Sequence, residues 1–283
     1  MSQSISLLPD RAVFKISGSQ AKTFLQGLVT ADLEKLEDGQ ASHAGLLTPQ
    51  GKIMFDFFCL AQEDGWLIDC AAGQIDDIVK RLTFYKLRAD VSLKKLDTLA
   101  VAASWGEKPK APDDVICYDD PRLAEMGQRL IGPTAMLSAL ANQTEQSYLL
   151  HRISHGVPDT IDIGSSQTFP HEANFDQLGG VSFTKGCYVG QEVVSRMQHR
   201  GTARSRIIPV ELGGQLAAEL KDDEREISAN SKKIGQMLSV VGNQGLAIVR
   251  LDRAKKALEE GHSITVGDVP IAIKKPQWAK FEM

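Results

Sequence analysis

Ala41–Leu47 and Ile53–Ala61 read as two strands, joined by Thr48-Pro49-Gln50-Gly51-Lys52, a loop rich in turn formers. Strands that close in sequence pair as a hairpin, which sets the sheet containing them as antiparallel. Ala12–Ile16 forms a strand ahead of the pair. A short helix follows it, capped by Ser19 and with Ala21, Phe24, Leu25 and Leu28 on its apolar face. Asp64-Gly65 marks a tight turn into a further strand, Trp66–Cys70. Ile75, Ile78, Val79, Leu82 and Tyr85 fall at helical spacing and predict a helix over Gln74–Leu87. Its outward Lys80, Arg81, Lys86 and Arg88 read as a solvated face rather than a contact surface. Val91–Leu96 and Thr98–Ala103 return to strand character. This order fits an α+β domain with a mostly antiparallel sheet. With no βαβ alternation, Gly-x-Gly-x-x-Gly fingerprint or P-loop, dinucleotide and nucleoside-triphosphate chemistry is a poor fit.

Trp105–Asp120, with Pro109 and Pro112, reads as a surface loop or subdomain junction. Gln143–Ile153 is helical and stops before Gly156-Val157-Pro158. His151 and His155 have metal-ligand spacing there, but no third ligand follows, so the pair reads as structural. Ile161–Asp176 is expected to be a loop. After Thr202 the character changes to short strands at Ile207–Leu212, Lys233–Val241, Leu246–Arg250, Ser263–Val266 and Val269–Ile273, with one helix at Leu251–Glu259. These predict a small β-barrel or sandwich, with charged Ala217–Ser231 as a mobile loop. The expected division is a core over 1–203 and a β-barrel domain over 204–283.

The net charge of −4 supplies no global attraction to nucleic acid, and no apolar run reaches the length of a membrane span. The first residues have neither a signal core nor presequence arginines, so a cytoplasmic protein is expected. Cys59, Cys70, Cys117 and Cys187 form no C-x-x-C pair, which argues against an in-chain cluster or zinc site. Cys59 and Cys70 lie in apolar strand-like runs and read as core, and Cys117 is similar.

Cys187 differs. It lies in Gly180-Val181-Ser182-Phe183-Thr184-Lys185-Gly186-Cys187-Tyr188-Val189-Gly190-Gln191-Glu192, read as a strand (Val181–Phe183), a glycine turn and a helix start. Val193, Val194 and Met197 share a helical face and Gly201 supplies the stop. A cysteine just ahead of a helix N-terminus, two residues from Lys185, favours thiolate over thiol and points to reactivity or metal ligation. The alternative is a small buried hydrophobe. His199 lies too far along the helix, by about 15 Å, to act as its base. Arg196, Arg200, Arg204 and Arg206 crowd the following segment. They suit a folate polyglutamate tail or an RNA backbone, or else pack their stems over apolar surface. No aromatics interleave with them, so direct nucleic-acid binding is not expected.

Lys185-Gly186-Cys187-Tyr188-Val189-Gly190-Gln191-Glu192 closely resembles the K-G-C-Y-x-G-Q-E signature of the YgfZ-like folate-binding proteins, relatives of the glycine-cleavage T-protein. Phe24–Leu33, Thr48–Ile53 and Pro170-x-Glu172-x-Asn174 resemble other parts of that family. His151-Arg152-x-x-x-His155-Gly156-Val157-Pro158 is similar to the branch whose mitochondrial members assist iron–sulfur protein maturation. The resemblance implies a T-protein-like fold of intertwined antiparallel-sheet subdomains with a C-terminal β-barrel. It also implies a tetrahydrofolate ligand and a part in assembling or repairing clusters of client enzymes, including those that modify tRNA. Its partners would be an iron–sulfur carrier or scaffold protein and the clients, with Cys187 as functional thiolate and ligand to a shared [2Fe–2S] cluster. Folate contacts carried over by the resemblance are Gln26, Asp32, Gly51, Arg152, Glu172, Asn174, Lys185, Gly186, Tyr188, Gly190, Gln191, Glu192 and Arg196. Of the adjacent acids that serve aminomethyl transfer in T-proteins, only Asp56 is present, beside Phe55, and the pterin-binding glutamate is replaced by Ser154. An assembly factor is therefore expected ahead of the alternative, a tetrahydrofolate-dependent one-carbon transferase.

Overall fold

The first two strands part company, β1 (Ser4–Leu7) and β2 (Arg11–Ser17) entering different sheets. The computed structural model describes residues 3–201, 203–216, 221 and 224–283. Helix α1 (Ala21–Gln26) leads to strands β3 (Ala41–Leu47), β4 (Ile53–Gln62) and β5 (Gly65–Ala71). Helix α2 (Ile75–Lys86) and β6 (Ser92–Lys95) follow. Next come β7 (Leu99–Trp105), β8 (Ile116–Asp119), β9 (Gln128–Pro133), α3 (Thr134–Leu140) and α4 (Glu145–Ser154). A short α5 (Thr160–Ile163) and α6 (Gln191–Arg200) complete the core. The remainder is β10 (Ser205–Leu212), β11 (Glu226–Ala229), β12 (Lys232–Val241), β13 (Gln244–Arg250), α7 (Leu251–Glu259), β14 (Ile264–Val266) and β15 (Val269–Ile273).

Three antiparallel sheets result: five strands in the order β3-β4-β5-β2-β6, four in the order β1-β7-β9-β8, and a closed barrel β10-β13-β12-β11-β14-β15. The expected α+β architecture of antiparallel sheets with a C-terminal β-barrel is thus present. Strand β4 shows why the first two sheets stack. Phe55, Phe57, Cys59 and Ala61 pack beneath α1 and α2, while Phe58 and Leu60 on its other face meet Val101 and Ile131 of the second sheet. Buried on both faces, this strand reads as a continuous apolar run. Helix α3 covers the far side of the second sheet through Leu137. The turn between β4 and β5 needs Gly65, at φ 145°, because a Cβ there would lie 2.0 Å from the Ile16 carbonyl oxygen.

Four stretches differ from expectation. Val181–Phe183 is not a strand, because Ser182 donates its N–H to the Thr30 carbonyl at 2.9 Å instead of joining a ladder. Residues 105–120 contain β8, which hydrogen-bonds to β9 inside the second sheet. Residues 161–176 include α5, started by an Asp159–Asp162 capping box. Of the expected mobile loop 217–231, residues 217–220, 222 and 223 lie outside the described residues, and 226–229 form barrel strand β11. Ser19 also does not cap α1; its hydroxyl donates to Asp90 at 2.6 Å.

Polar groups sit between the two sheets. Asp69 accepts from Arg11 Nε at 2.7 Å, Arg129 Nε at 2.7 Å and Tyr118 Oη at 3.0 Å. The guanidiniums of Arg129, Arg122 and Arg11 lie 4.2, 4.8 and 5.4 Å from the Phe58 ring centre. Charges removed from water this completely persist only when paired.

Core and barrel are stitched together by buried polar contacts. Asn174 donates to the Ile207 carbonyl at 2.6 Å, and Arg206 is held by Asp176 at 2.5 Å. Asp162 accepts from the Ser239 hydroxyl at 2.5 Å, and Trp278 Nε1 donates to the His155 carbonyl at 2.8 Å.

Candidate functional site

Of the four cysteines only Cys187 is exposed. Burial pushes the Cys59 thiol far up, that of Cys70 up to about 12, and raises Cys117 as well, so none of these is poised as a thiolate. The loop that displays Cys187 is anchored on both sides. Before it, Thr30 Oγ1 donates to the Gly180 carbonyl at 2.6 Å while accepting from the Gly45 N–H at 2.8 Å. After it, Tyr188 is buried among Leu47, Ile53 and Val194. Gly190 seats the loop on the β3–β4 turn: at φ 81°, its missing Cβ would lie 2.6 Å from the Thr48 carbonyl oxygen.

Lys185 is the central anchor. Its ammonium donates to the carbonyls of Gln26, Ala31 and Val29 at 2.6, 2.7 and 2.8 Å, at the last residue of α1 and in the segment that follows it. Desolvation lowers this lysine to about 8. The expectation that Lys185 supports the Cys187 thiolate is corrected accordingly: its N–H groups are committed to carbonyl oxygens. The helix also begins later than expected. Tyr188, Val189 and the cap residue Gly190 separate Cys187 from Gln191, the first residue of α6.

The residues expected to hold folate are not gathered round one cavity. Gln26 donates to Asp32 at 2.9 Å and accepts from the Leu33 N–H, and the bond from Lys35 holds the Asp32 carboxyl below its usual range. Both shape the Lys185 cradle. Gly51 packs against Val193. Arg152 is buried and donates to Asp162 at 2.5 Å and to the Val157 carbonyl at 2.7 Å. Glu172, raised by burial, accepts from the Phe169 N–H at 3.0 Å, and Asn174 is wholly buried at the barrel junction. Gly186 and Glu192 are exposed and Gln191 is half-buried, with Glu192 paired to Arg196 at 2.5 Å one turn along α6. The Tyr188 hydroxyl is buried without a partner, and burial raises it to about 12. Asp56 is 1% exposed and bonds His43 Nε2 at 3.0 Å, so it faces no open cavity.

Two cavities border these residues without including Cys187. One of about 650 Å³ is lined by Ser154, His155, Lys274, Lys275 and Trp278. The other, about 710 Å³, is lined by Arg11, Tyr148, Arg152 and Ser239. The arginine cluster after Cys187 is divided by the fold. Arg206 is buried beneath Phe281 and against Asp176, whereas Arg196, Arg200 and Arg204 remain exposed. His151 stacks on Trp105 and bonds the Glu125 carbonyl, and no His, Cys, Asp or Glu cluster among the described residues could hold a metal.

What the sequence reading missed is the frame: Thr30, the His43–Asp56 pair and the Asp69 network. Their partners lie 13 to 150 residues away in the chain, and no spacing pattern signals them.

Residues 204–281 match the family model of the CAF17 C-terminal β-barrel domain. An iron–sulfur cluster assembly factor IBA57 homologue, mitochondrial, from Mycosarcoma maydis is 31% identical, over 89% of this chain and 75% of that protein. Human mitochondrial iron–sulfur cluster assembly factor IBA57 is 28% identical, over 96% of this chain and 84% of its own length. The crystal structure of glycine cleavage system aminomethyltransferase T from Bartonella henselae superposes with a TM-score of 0.75, covering 98% of this chain and 86% of that one at 14% identity. At that identity the likeness is one of fold. These assembly factors are named as mitochondrial proteins, which overturns the cytoplasmic assignment read from the N-terminal residues. No helix among the described residues is long and apolar enough to cross a membrane.

Proposed function

The chain belongs to the IBA57 family of iron–sulfur cluster assembly factors, and on that premise we propose that it acts in cluster assembly by lending Cys187 as a ligand. The cluster is cargo, shared with a carrier protein on its way to client enzymes. The observation that carries this reading is the display of one exposed cysteine on a loop fixed by Lys185, Thr30 and Gly190. A lone thiolate cannot hold a [2Fe–2S] cluster, which needs four ligands, but it can complete one whose other ligands come from elsewhere. A fixed loop suits that task, since less freedom is lost when the ligand is engaged.

Clients that modify tRNA, and tetrahydrofolate as a ligand, remain part of this proposal through the resemblance to YgfZ-like proteins. The folate contacts carried over do not fit as a set, because Arg152, Asn174 and Asp56 are committed to internal partners. The place proposed for folate is the cavity beside Ser154, and no step is derived through it. Aminomethyl transfer is disfavoured by the burial of Asp56 against His43.

The test is anaerobic mixing with a [2Fe–2S]-loaded carrier, read by circular dichroism in the visible range. Wild-type protein is expected to give a new cluster spectrum and Cys187→Ala none, at unchanged far-ultraviolet signal. An alanine variant that reproduces the wild-type spectrum would falsify the ligand role. Titration of tetrahydrofolate into wild type and Ser154→Trp separately checks the cavity; equal binding to both removes it as the folate site.

A further inference from the structure

Helix α2 ends in two side chains that its own chain leaves in water. Phe84 and Leu87 are 71% and 85% exposed, whereas Ile78 and Leu82 on the opposite face are buried. Leu87 follows the last helical residue at φ 47°, ψ −106°, a backbone conformation that strains a side chain and where glycine is the usual choice. A strained backbone therefore holds a large apolar group out in solvent, and the neighbouring Phe84 has only the edge of Tyr85, with ring centres 6.0 Å apart, against it. Single exposed apolar residues are ordinary; two of them three positions apart, one strained, call for a partner.

The surrounding charge sets that partner's sign. Lys80 and Arg81 precede Phe84 by one turn and Arg88 follows Leu87. All three are exposed, and their side chains make no hydrogen bond or ion pair among the described residues. Of the nearby acids, Asp76 pairs with Lys95, Asp90 accepts from Ser19 and keeps its charge near Lys86, and Asp77 lies one turn before Lys80 and Arg81, so Lys80, Arg81, Lys86 and Arg88 outnumber Asp77 and Asp90. The patch is cationic in a chain of net charge −4, and its complement is an acidic surface.

We propose that the end of α2 docks the acidic cluster-carrying protein, with Phe84 and Leu87 entering an apolar recess rimmed by carboxylates. This rests on the reading that the cluster is shared with such a carrier. Helices α1 and α2 cover the same face of the five-stranded sheet, and Lys185 ties the Cys187 loop to the residues that follow α1. Docking face and ligand loop thus hang on one helical layer.

The experiment measures affinity by fluorescence anisotropy, using the purified [2Fe–2S] carrier of the same genome, at low and high salt. Leu87→Gly, which relieves the strain, is expected to raise the melting temperature yet weaken carrier binding tenfold or more. Arg81→Glu with Arg88→Glu is expected to weaken it similarly and to remove most of its salt dependence. Cys187→Ala, which tests the ligand reading alone, should give no shared-cluster spectrum. If Cys187→Ala keeps the spectrum while the α2 variants lose binding, the ligand reading fails and the docking surface stands. Binding by the α2 variants within twofold of wild type overturns the proposal, as does no binding by wild type. So does loss of binding to phosphatidylglycerol vesicles in these variants at unchanged carrier affinity.

Discussion

The Lys185 ammonium donates to the Ala31 carbonyl at 2.7 Å, across a sequence separation of 154 residues. With its bonds to Gln26 and Val29, this ties the Cys187 loop to the first helical layer. Lys185→Met would leave those carbonyls without the donor. The expected loss is about 2 kcal/mol, since each such bond contributes on the order of 1 kcal/mol and water replaces part of it at a half-buried site. Urea unfolding gives the loss, and limited proteolysis should place the first new cleavage within residues 180–190.

The same ammonium sets a pH window. Folded, it titrates near 8, against a usual value of 10.5, so between these limits the unfolded chain holds more protons. Its contribution to stability is least favourable below pH 8 and rises towards pH 10.5. The stability of wild type minus that of Lys185→Met should climb across this range, and a flat difference would count against a buried, charged lysine.

Two glycines of the loop should behave oppositely. Gly190→Ala puts a Cβ against the Thr48 carbonyl at a positive φ, and a loss of about 2 kcal/mol or more is expected. Gly186 has open space around it, so Gly186→Ala should cost less than about 0.5 kcal/mol. Thermal melts of the pair, with cluster transfer measured alongside, decide whether the loop's seat or its composition matters.

Asp69→Asn should cost about 3–5 kcal/mol, because it leaves Arg11 and Arg129 as buried cations facing a neutral amide. Asp69 lies between the two sheets, so the loss should appear in global unfolding by urea, at a little-changed denaturant slope.

Legibility in the sequence followed the range of the interactions. The hairpin of β3 and β4, helix α2 and the barrel strands are declared by local signals: turn formers, periodic apolar residues and short runs. Cys187 stood out for an equally local reason, its glycine-flanked turn. Val181–Phe183 misled because only Val181 packs, partly buried, against the core, while Phe183 stays exposed and the backbone bond of Ser182 reaches Thr30 rather than a neighbouring strand. Lys185 misled by proximity; two residues from the thiol in sequence, it bonds the segment behind the loop. Arg206 belonged by spacing to a surface cluster, yet Asp176, thirty residues earlier, takes it into the interior. Asp69 gave no signal, since its arginine partners lie 58 and 60 residues away.

Asn174, Arg206, Asp162 and Trp278 tie the core to the barrel at several separate points. On the proposed reading, a protein tied together this way would hand on cargo as a fixed post does, with the visiting carrier and client supplying the motion. Its tempo would then be set by how quickly those visitors arrive and depart, and stiffening the post further should leave that tempo unchanged.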